Sequence, residues 1–227
     1  MSEAAMMPRG SAVALSSEAD MGDSGRSNTG RSDGRNRRAA ETRRKIIAAA
    51  KAMIAETSTA PTVVAVAKRA DVSVRSVFQH FGDVESLFVT VVDSVRADLV
   101  LPPPTPSTGP LSARVTSAVS NLAEVFDKVV PLRVAAGQFV NHPALIERQR
   151  ESKHEVRAAM AKAFAPEFAA LSEQAREDLL DAVGGALSPE AWAVLRRRDG
   201  LSVERAAAVW RLTLMALLSQ AFASAAE

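Results

Sequence analysis

The sequence predicts an all-α protein: a small N-terminal three-helix domain followed by a larger helical domain. Three observations carry that reading. Apolar residues recur at helical spacing through most of the 227 residues. No stretch alternates apolar and polar residues in the way a half-buried strand does. Pro and Gly fall where helices would begin and end. An apolar fraction of 47% in a chain of this length is sufficient for one large domain or two small ones.

Residues 1–36 are rich in Ser, Gly, Arg and Asp and contain no apolar periodicity, which predicts a disordered tail. At Arg37 the composition changes. Ile46, Ile47, Ala50, Met53 and Ile54 form one face of a helix, with Arg and Lys on the opposite face. Ser58 to Thr62 end it. Thr62 then caps a short helix with Val63, Val66 and Ala67 inward, and Ala70-Asp71 make a turn. Asp71 is one of the few residues other than Gly that tolerate positive φ. Ser73 caps a second short helix with Val77 and Phe78 expected inward and Val74, Arg75, Ser76, Gln79 and His80 outward. Two helices of this size joined by such a turn form a helix-turn-helix.

After the break at Gly82-Asp83, Val84 to Leu101 reads as a long helix, and LPPPTPSTGP must end it. The expected organisation is therefore a tail over 1–36, a helix-turn-helix domain over 37–84, a connecting helix over 85–101, a Pro-rich linker over 102–110 and a helical domain over 111–227. Within the last, helices are expected over Leu111–Lys128, Pro131–Asn141, Pro143–Ala165, Ser172–Val183, Ser188–Arg198 and Ser202–Ala223. Asn141, Ser172, Ser188 and Ser202 are candidate caps, and Gly184 and Gly200 candidate stops.

Composition removes several function classes. The chain has no Cys, hence no disulfide, thiol nucleophile or Cys-ligated metal. It also lacks Tyr, a dinucleotide-binding Gly motif, a P-loop and a H-E-x-x-H helix, and three scattered His make no site. No catalytic residue, metal ligand or cofactor is expected. The pair Glu151 and His154 has the spacing of half a di-iron motif without its second half, and reads as a solvated charged face. No apolar run is long enough to cross a membrane, and Ala12 to Leu15 is too short for a signal-peptide core; a cytoplasmic location is expected.

The net charge of +2 conceals an asymmetry. Residues 1–36 carry −1, residues 37–82 carry +6, and residues 83–227 carry −3. A basic block of this kind suits an anion-binding module, although a solvated helix face reads equally well from charge alone. The run Arg196 to Arg198 lies at a helix C-terminus, where cations offset the dipole.

From Thr62 to Leu87 the segment TVVAVAKRADVSVRSVFQHFGDVESL resembles the DNA-binding domain of TetR-type transcriptional regulators. The resemblance rests on Thr62, on Val66-Ala67, on Ala70-Asp71-Val72-Ser73, on Phe78 and on His80-Phe81, and it spans about residues 40–90. Three positions depart from the pattern: Phe78 stands where Tyr is frequent, Val84 where Lys is frequent, and Asp71 where Gly is usual.

The resemblance implies that the second short helix enters the major groove of double-stranded DNA. Val74, Arg75, Ser76 and Gln79 would then face bases, Arg75 pairing with guanine and Gln79 with adenine. Arg43, Arg44, Lys45, Thr62, Ser73 and His80 would contact phosphates, and Arg37 and Arg38 could reach the minor groove. A palindromic operator bound by a homodimer, repression, and release by a small-molecule effector in the C-terminal domain are further implications.

The segment Ala206 to Phe222 is apolar nearly all round, so both its sides must be covered. A dimer interface is expected there, through Trp192, Leu195, Val209, Trp210, Thr213, Leu217 and Gln220; a fully buried helix in a monomer is the alternative. Phe126, Phe139, Met160, Phe164 and Phe168 could line an effector cavity, but residues so spaced are more often core. A helical protein-interaction module, or a ligand-binding protein without operator specificity, is the rival reading. It leaves the +6 block unexplained.

Overall fold

Ten α-helices and no strand occur among residues 27–224, the part of the chain that the computed structural model describes. Side chains are described for residues 33–220. Most of the expected tail, residues 1–26, lies outside these bounds.

Helix α1 (Ser27–Thr57) starts ten residues before the expected boundary at Arg37. No Pro occurs from Ser27 to Thr57 to interrupt it. The chain divides into two compact units at Ala40. The first unit contributes the N-terminal part of α1, on which Arg37 and Arg38 are exposed.

In the second unit, local chemistry sets each boundary of the next three helices. The Thr62 hydroxyl accepts the Ala65 N–H at 3.2 Å and starts α2 (Val63–Ala70). Asp71 stops it in the left-handed region, at φ 54°, while the Val72 N–H reaches back to the Ala67 carbonyl at 3.0 Å. The Ser73 hydroxyl accepts the Ser76 N–H at 3.0 Å and starts α3 (Val74–Phe81), which Gly82 ends at φ 78°. Asp83 caps α4 (Val84–Asp98), accepting the Ser86 N–H at 2.6 Å. That bond holds the exposed Asp83 carboxyl below the usual carboxylate range. Helix α4 closes three residues short of the expected Leu101, because the Pro run from 102 onward favours extended backbone before it.

The remaining helices are α5 (Leu111–Ala136), α6 (Pro143–Ala163), α7 (Ala165–Phe168), α8 (Glu173–Ala186), α9 (Pro189–Ala193) and α10 (Val203–Ser224). A 3₁₀ turn over Gly137–Phe139 follows α5, and a π-helical segment over Val194–Arg198 follows α9. Ser172 and Ser188 cap α8 and α9 as expected, and the Ser202 hydroxyl accepts the Arg205 N–H at 3.3 Å. Gly200 takes φ 67° after the π segment.

Three expectations are corrected. Pro131 does not begin a helix but lies within α5, where the preceding turns are already packed and carry the helix past the lost N–H. Gly184 lies inside α8 rather than ending it. The residue at the start of α6 is His142, not Asn141, and its side chain makes no capping bond.

Two apolar cores result. One joins α1 to α4 through Ile46, Ile54, Val66, Val77, Phe81, Leu87 and Val91, and takes in Leu132, Ala135 and Ala136 of α5 and Leu145 of α6. The other joins α5, α6, α8, α9 and α10. At its centre the Trp192 and Trp210 rings lie 4.6 Å apart, with Phe126 edge-on to Trp210 at 5.8 Å. Helix α5 changes core between Val130 and Leu132. A buried ion pair of the second core ties the linker to it. Arg114 holds Glu167 in a bidentate pair and also donates to the Gly109 and Ala163 carbonyls at 3.1 and 2.9 Å. Each guanidinium nitrogen of that pair therefore has an acceptor, and Arg114 holds the Glu167 carboxyl below its ordinary value.

Candidate nucleic-acid interface

The helix-turn-helix presents one continuous face of α3. Residues 74, 75, 78 and 79 share a helical face by spacing, and all four side chains are exposed. They form two parallel rows, Val74 with Phe78 and Arg75 with Gln79. Phe78 was expected inward. The structure turns it out, 47% exposed, because Val77 and Phe81 are one turn apart and together fill the inward stripe. Ser76 lies at the edge of the face, half-buried.

The expected phosphate-binding residues divide into two kinds. Arg44 and Lys45 are exposed, Lys45 with its amine 3.6 Å from Glu41 one turn earlier. Thr62 and Ser73 use a hydroxyl lone pair for capping and keep the O–H free to donate. Arg43 instead supports α3: it donates to the His80 carbonyl at 3.2 Å and its guanidinium lies 4.5 Å from the Phe81 ring centroid. His80 is half-buried beside it.

Ion pairing further thins the basic block. Arg69 forms a bidentate pair with Glu56 at 2.7 and 2.6 Å, which lowers the Glu56 pKa, and Lys51 pairs with Asp98. Arg44, Lys68 and Arg75 have no ion-pair partner among the described residues. The cations left over are thus on the surface of α1, α2 and α3, where they can meet an anion without first breaking a bond.

The expected interface residues do not share one surface. Trp192 and Trp210 are wholly buried within the protomer and offer nothing to a partner. Leu195, Thr213 and Leu217 are half-buried, and Val209 and Gln220 are exposed. Missing from the expected set was Leu212, at 74% the most exposed apolar side chain among the described residues of α10. In a helix apolar all round, periodicity cannot tell the inward side from the outward one. Of the candidates for an effector cavity, Phe126, Met160, Phe164 and Phe168 are packed in the second core, and the Phe139 ring lies tilted against Phe88 with centroids 4.9 Å apart. An open groove of about 530 Å³ lies elsewhere, lined by Arg44, Ile47, Lys51, Val91, Val95 and Leu132 among others.

Sequence reading also missed how the helix-turn-helix is attached to the helices that follow. Arg148 of α6 pairs with Asp93 of α4 at 2.5 and 2.7 Å, and Arg96 of α4 pairs with Glu151 and Glu155 of α6 at 3.0 and 3.3 Å. Glu151 is thereby an ion-pair partner, and no cluster of three potential metal ligands occurs among the described residues. Arg197 of the π segment donates to the buried Ser58 hydroxyl in the turn between α1 and α2. The Arg196 to Arg198 run therefore does more than offset a dipole: Arg196 bonds Asp127 at 2.8 Å and Arg197 reaches the helix-turn-helix domain. These contacts join residues more than fifty positions apart and leave no local signal.

No helix among the described residues is long and apolar enough to cross a membrane. No curated protein matches the chain. A solved structure from Mesorhizobium loti MAFF303099, described as a TetR-family transcriptional regulator, is similar at 19% identity, covers 80% of this chain and 97% of its own, and superposes with a TM-score of 0.49. Residues 46–91 match the family of bacterial regulatory proteins of the tetR type, and these are the residues that build α2, α3 and the packed part of α1 and α4. Over those residues the chain carries a domain similar to the DNA-binding domain of the tetR-type bacterial regulators.

Proposed function

We propose that the chain is a tetR-type transcriptional regulator, a repressor that binds a palindromic operator as a homodimer and leaves it when a small molecule occupies the C-terminal helical domain. The observation that carries the reading is the exposed face of α3. It offers a guanidinium and a carboxamide, the two side-chain groups suited to bidentate contact with guanine and adenine, and the guanidinium of Arg75 has no ion-pair partner among the described residues. Val74, Arg75, Ser76 and Gln79 are assigned to the bases, and Arg44, Lys45, Thr62, Ser73 and His80 to the phosphates, with Arg43 acting through its hold on α3. Val209, Leu212, Thr213, Leu217 and Gln220 supply a face for a second copy, which a single short reading helix needs to reach operator specificity.

Release has a physical route. Leu132, Ala135, Ala136 and Leu145 belong to the same core as α2 and α3, so a shift of α5 or α6 moves the reading helices with it. An effector needs only to favour one separation of the two reading helices by a few kcal/mol.

Binding of the full chain to its own promoter region across a salt series tests the reading. A steep inverse dependence is expected, with Arg75→Ala plus Arg44→Ala costing about 1–3 kcal/mol at the base contact and reducing the salt slope. Salt-insensitive binding, or binding unaffected by the double substitution, would leave the helical interaction-module reading in its place.

A further inference from the structure

The rows of α3 differ in chemistry. Arg75 and Gln79 can hydrogen-bond; Val74 and Phe78 cannot. Yet Val74 is 38% exposed and Phe78 47%. Nothing in the fold requires this, since Val77 and Phe81 already fill the inward stripe. An apolar row beside a row that carries the unpaired Arg75 suits a partner that is anionic overall and locally apolar.

The major groove of DNA is such a surface. Its only apolar feature is the thymine C5-methyl group, which aliphatic and aromatic side chains contact. Phe78 has no hydroxyl with which to hold a phosphate, so its ring gains nothing from the backbone oxygens and gains by covering a methyl. The spacing also agrees. Four residues of α-helix advance about 6 Å along the axis, close to two base-pair steps of about 3.4 Å each.

We propose that Val74 and Phe78 select operators by contact with thymine methyl groups, so that each half-site carries thymines about two steps apart beside the bases read by Arg75 and Gln79. This rests on the reading that α3 enters the major groove. It adds a specificity that the hydrogen-bonding row does not supply, because in the major groove a methyl marks thymine alone among the four bases.

The test uses the full-length protein and the duplex it enriches from a random-sequence pool. Each thymine is replaced in turn by deoxyuridine, which differs only in lacking the methyl. Replacement at two positions per half-site should weaken binding about fourfold each, the equivalent of one buried methyl at about 0.8 kcal/mol, while the remaining thymines respond little. Val74→Ala should abolish the sensitivity at one position and Phe78→Ala at the other. Both side chains are exposed, and unchanged thermal melting of the variants confirms that the fold is intact. A flat deoxyuridine scan on a duplex that still depends on Arg75 overturns the methyl contact and leaves operator binding standing. The same sensitivities persisting in both variants overturns it too, since the methyls would then act through DNA shape. Failure to enrich any duplex overturns both readings.

Discussion

Helices α3 and α10 both leave large apolar side chains in solvent, and the difference between them lies in what surrounds those side chains. On α3, Val74 and Phe78 stand beside Arg75 and Gln79, with Arg44 and Lys68 on neighbouring helices. On α10, Val209 and Leu212 stand among Ala208, Thr213, Ala216 and Leu217, a face almost without charge. Exposed apolar area alone specifies no partner. Its electrostatic frame does: the first face suits a polyanion with apolar points, and the second suits a copy of itself, since an uncharged face meeting its own image brings no like charges together.

Three substitutions or conditions would break or sharpen that contrast. The largest effect belongs to the inner side of α10. Trp210→Ala removes a ring packed against Trp192 and Phe126 and should cost about 3–5 kcal/mol of stability in a denaturant melt; a loss below 1 kcal/mol would place Trp210 outside the core. The outer side should behave in the opposite way. Leu212→Glu should change the stability of the protomer by less than about 0.5 kcal/mol and weaken self-association by about 2 kcal/mol, some thirtyfold, in sedimentation equilibrium. Unchanged or absent association would remove α10 as the proposed dimer face.

Acid gives the smallest effect and separates both faces from the ion pairs behind them. Arg148 and Arg114 hold the Asp93 and Glu167 carboxyls below their ordinary values. Carboxyls lowered in this way contribute stability that is complete above the ordinary carboxylate value, about pH 4, and is lost as pH falls through that value toward the lowered one. The melting temperature should therefore hold from neutrality to about pH 5 and fall below it, and Asp93→Asn should flatten part of that fall. Neither exposed face carries a carboxylate among the residues named, so loss of self-association at pH 5 would contradict the assignment.

Much of the helix-turn-helix was legible in the sequence because its determinants are local. Thr62 and Ser73 cap helices that start one residue later, and Asp71 meets a backbone requirement at its own position. The orientation of Phe78 was not legible: Val77, Phe78 and Phe81 are all apolar, and only packing against α1 and α2 selects the pair that turns inward. The burial of Trp210 was not legible for a related reason, since α10, apolar on both sides, gives no phase to its burial. Pro131 was read as a start because Pro tolerates a first turn; that it lies inside a helix depends on the cores that hold α5 at both ends. Arg197 and Ser58 are 139 residues apart, and no pattern in either neighbourhood predicts that they meet.

The position of Pro131 has a mechanical meaning. The residue before it is anchored in one core and the residue after it in the other, and Pro131 itself has no N–H to bond the Asp127 carbonyl. Helix α5 is thus a rod with one rung removed at its fulcrum, most compliant at the point where a lever gains most from bending.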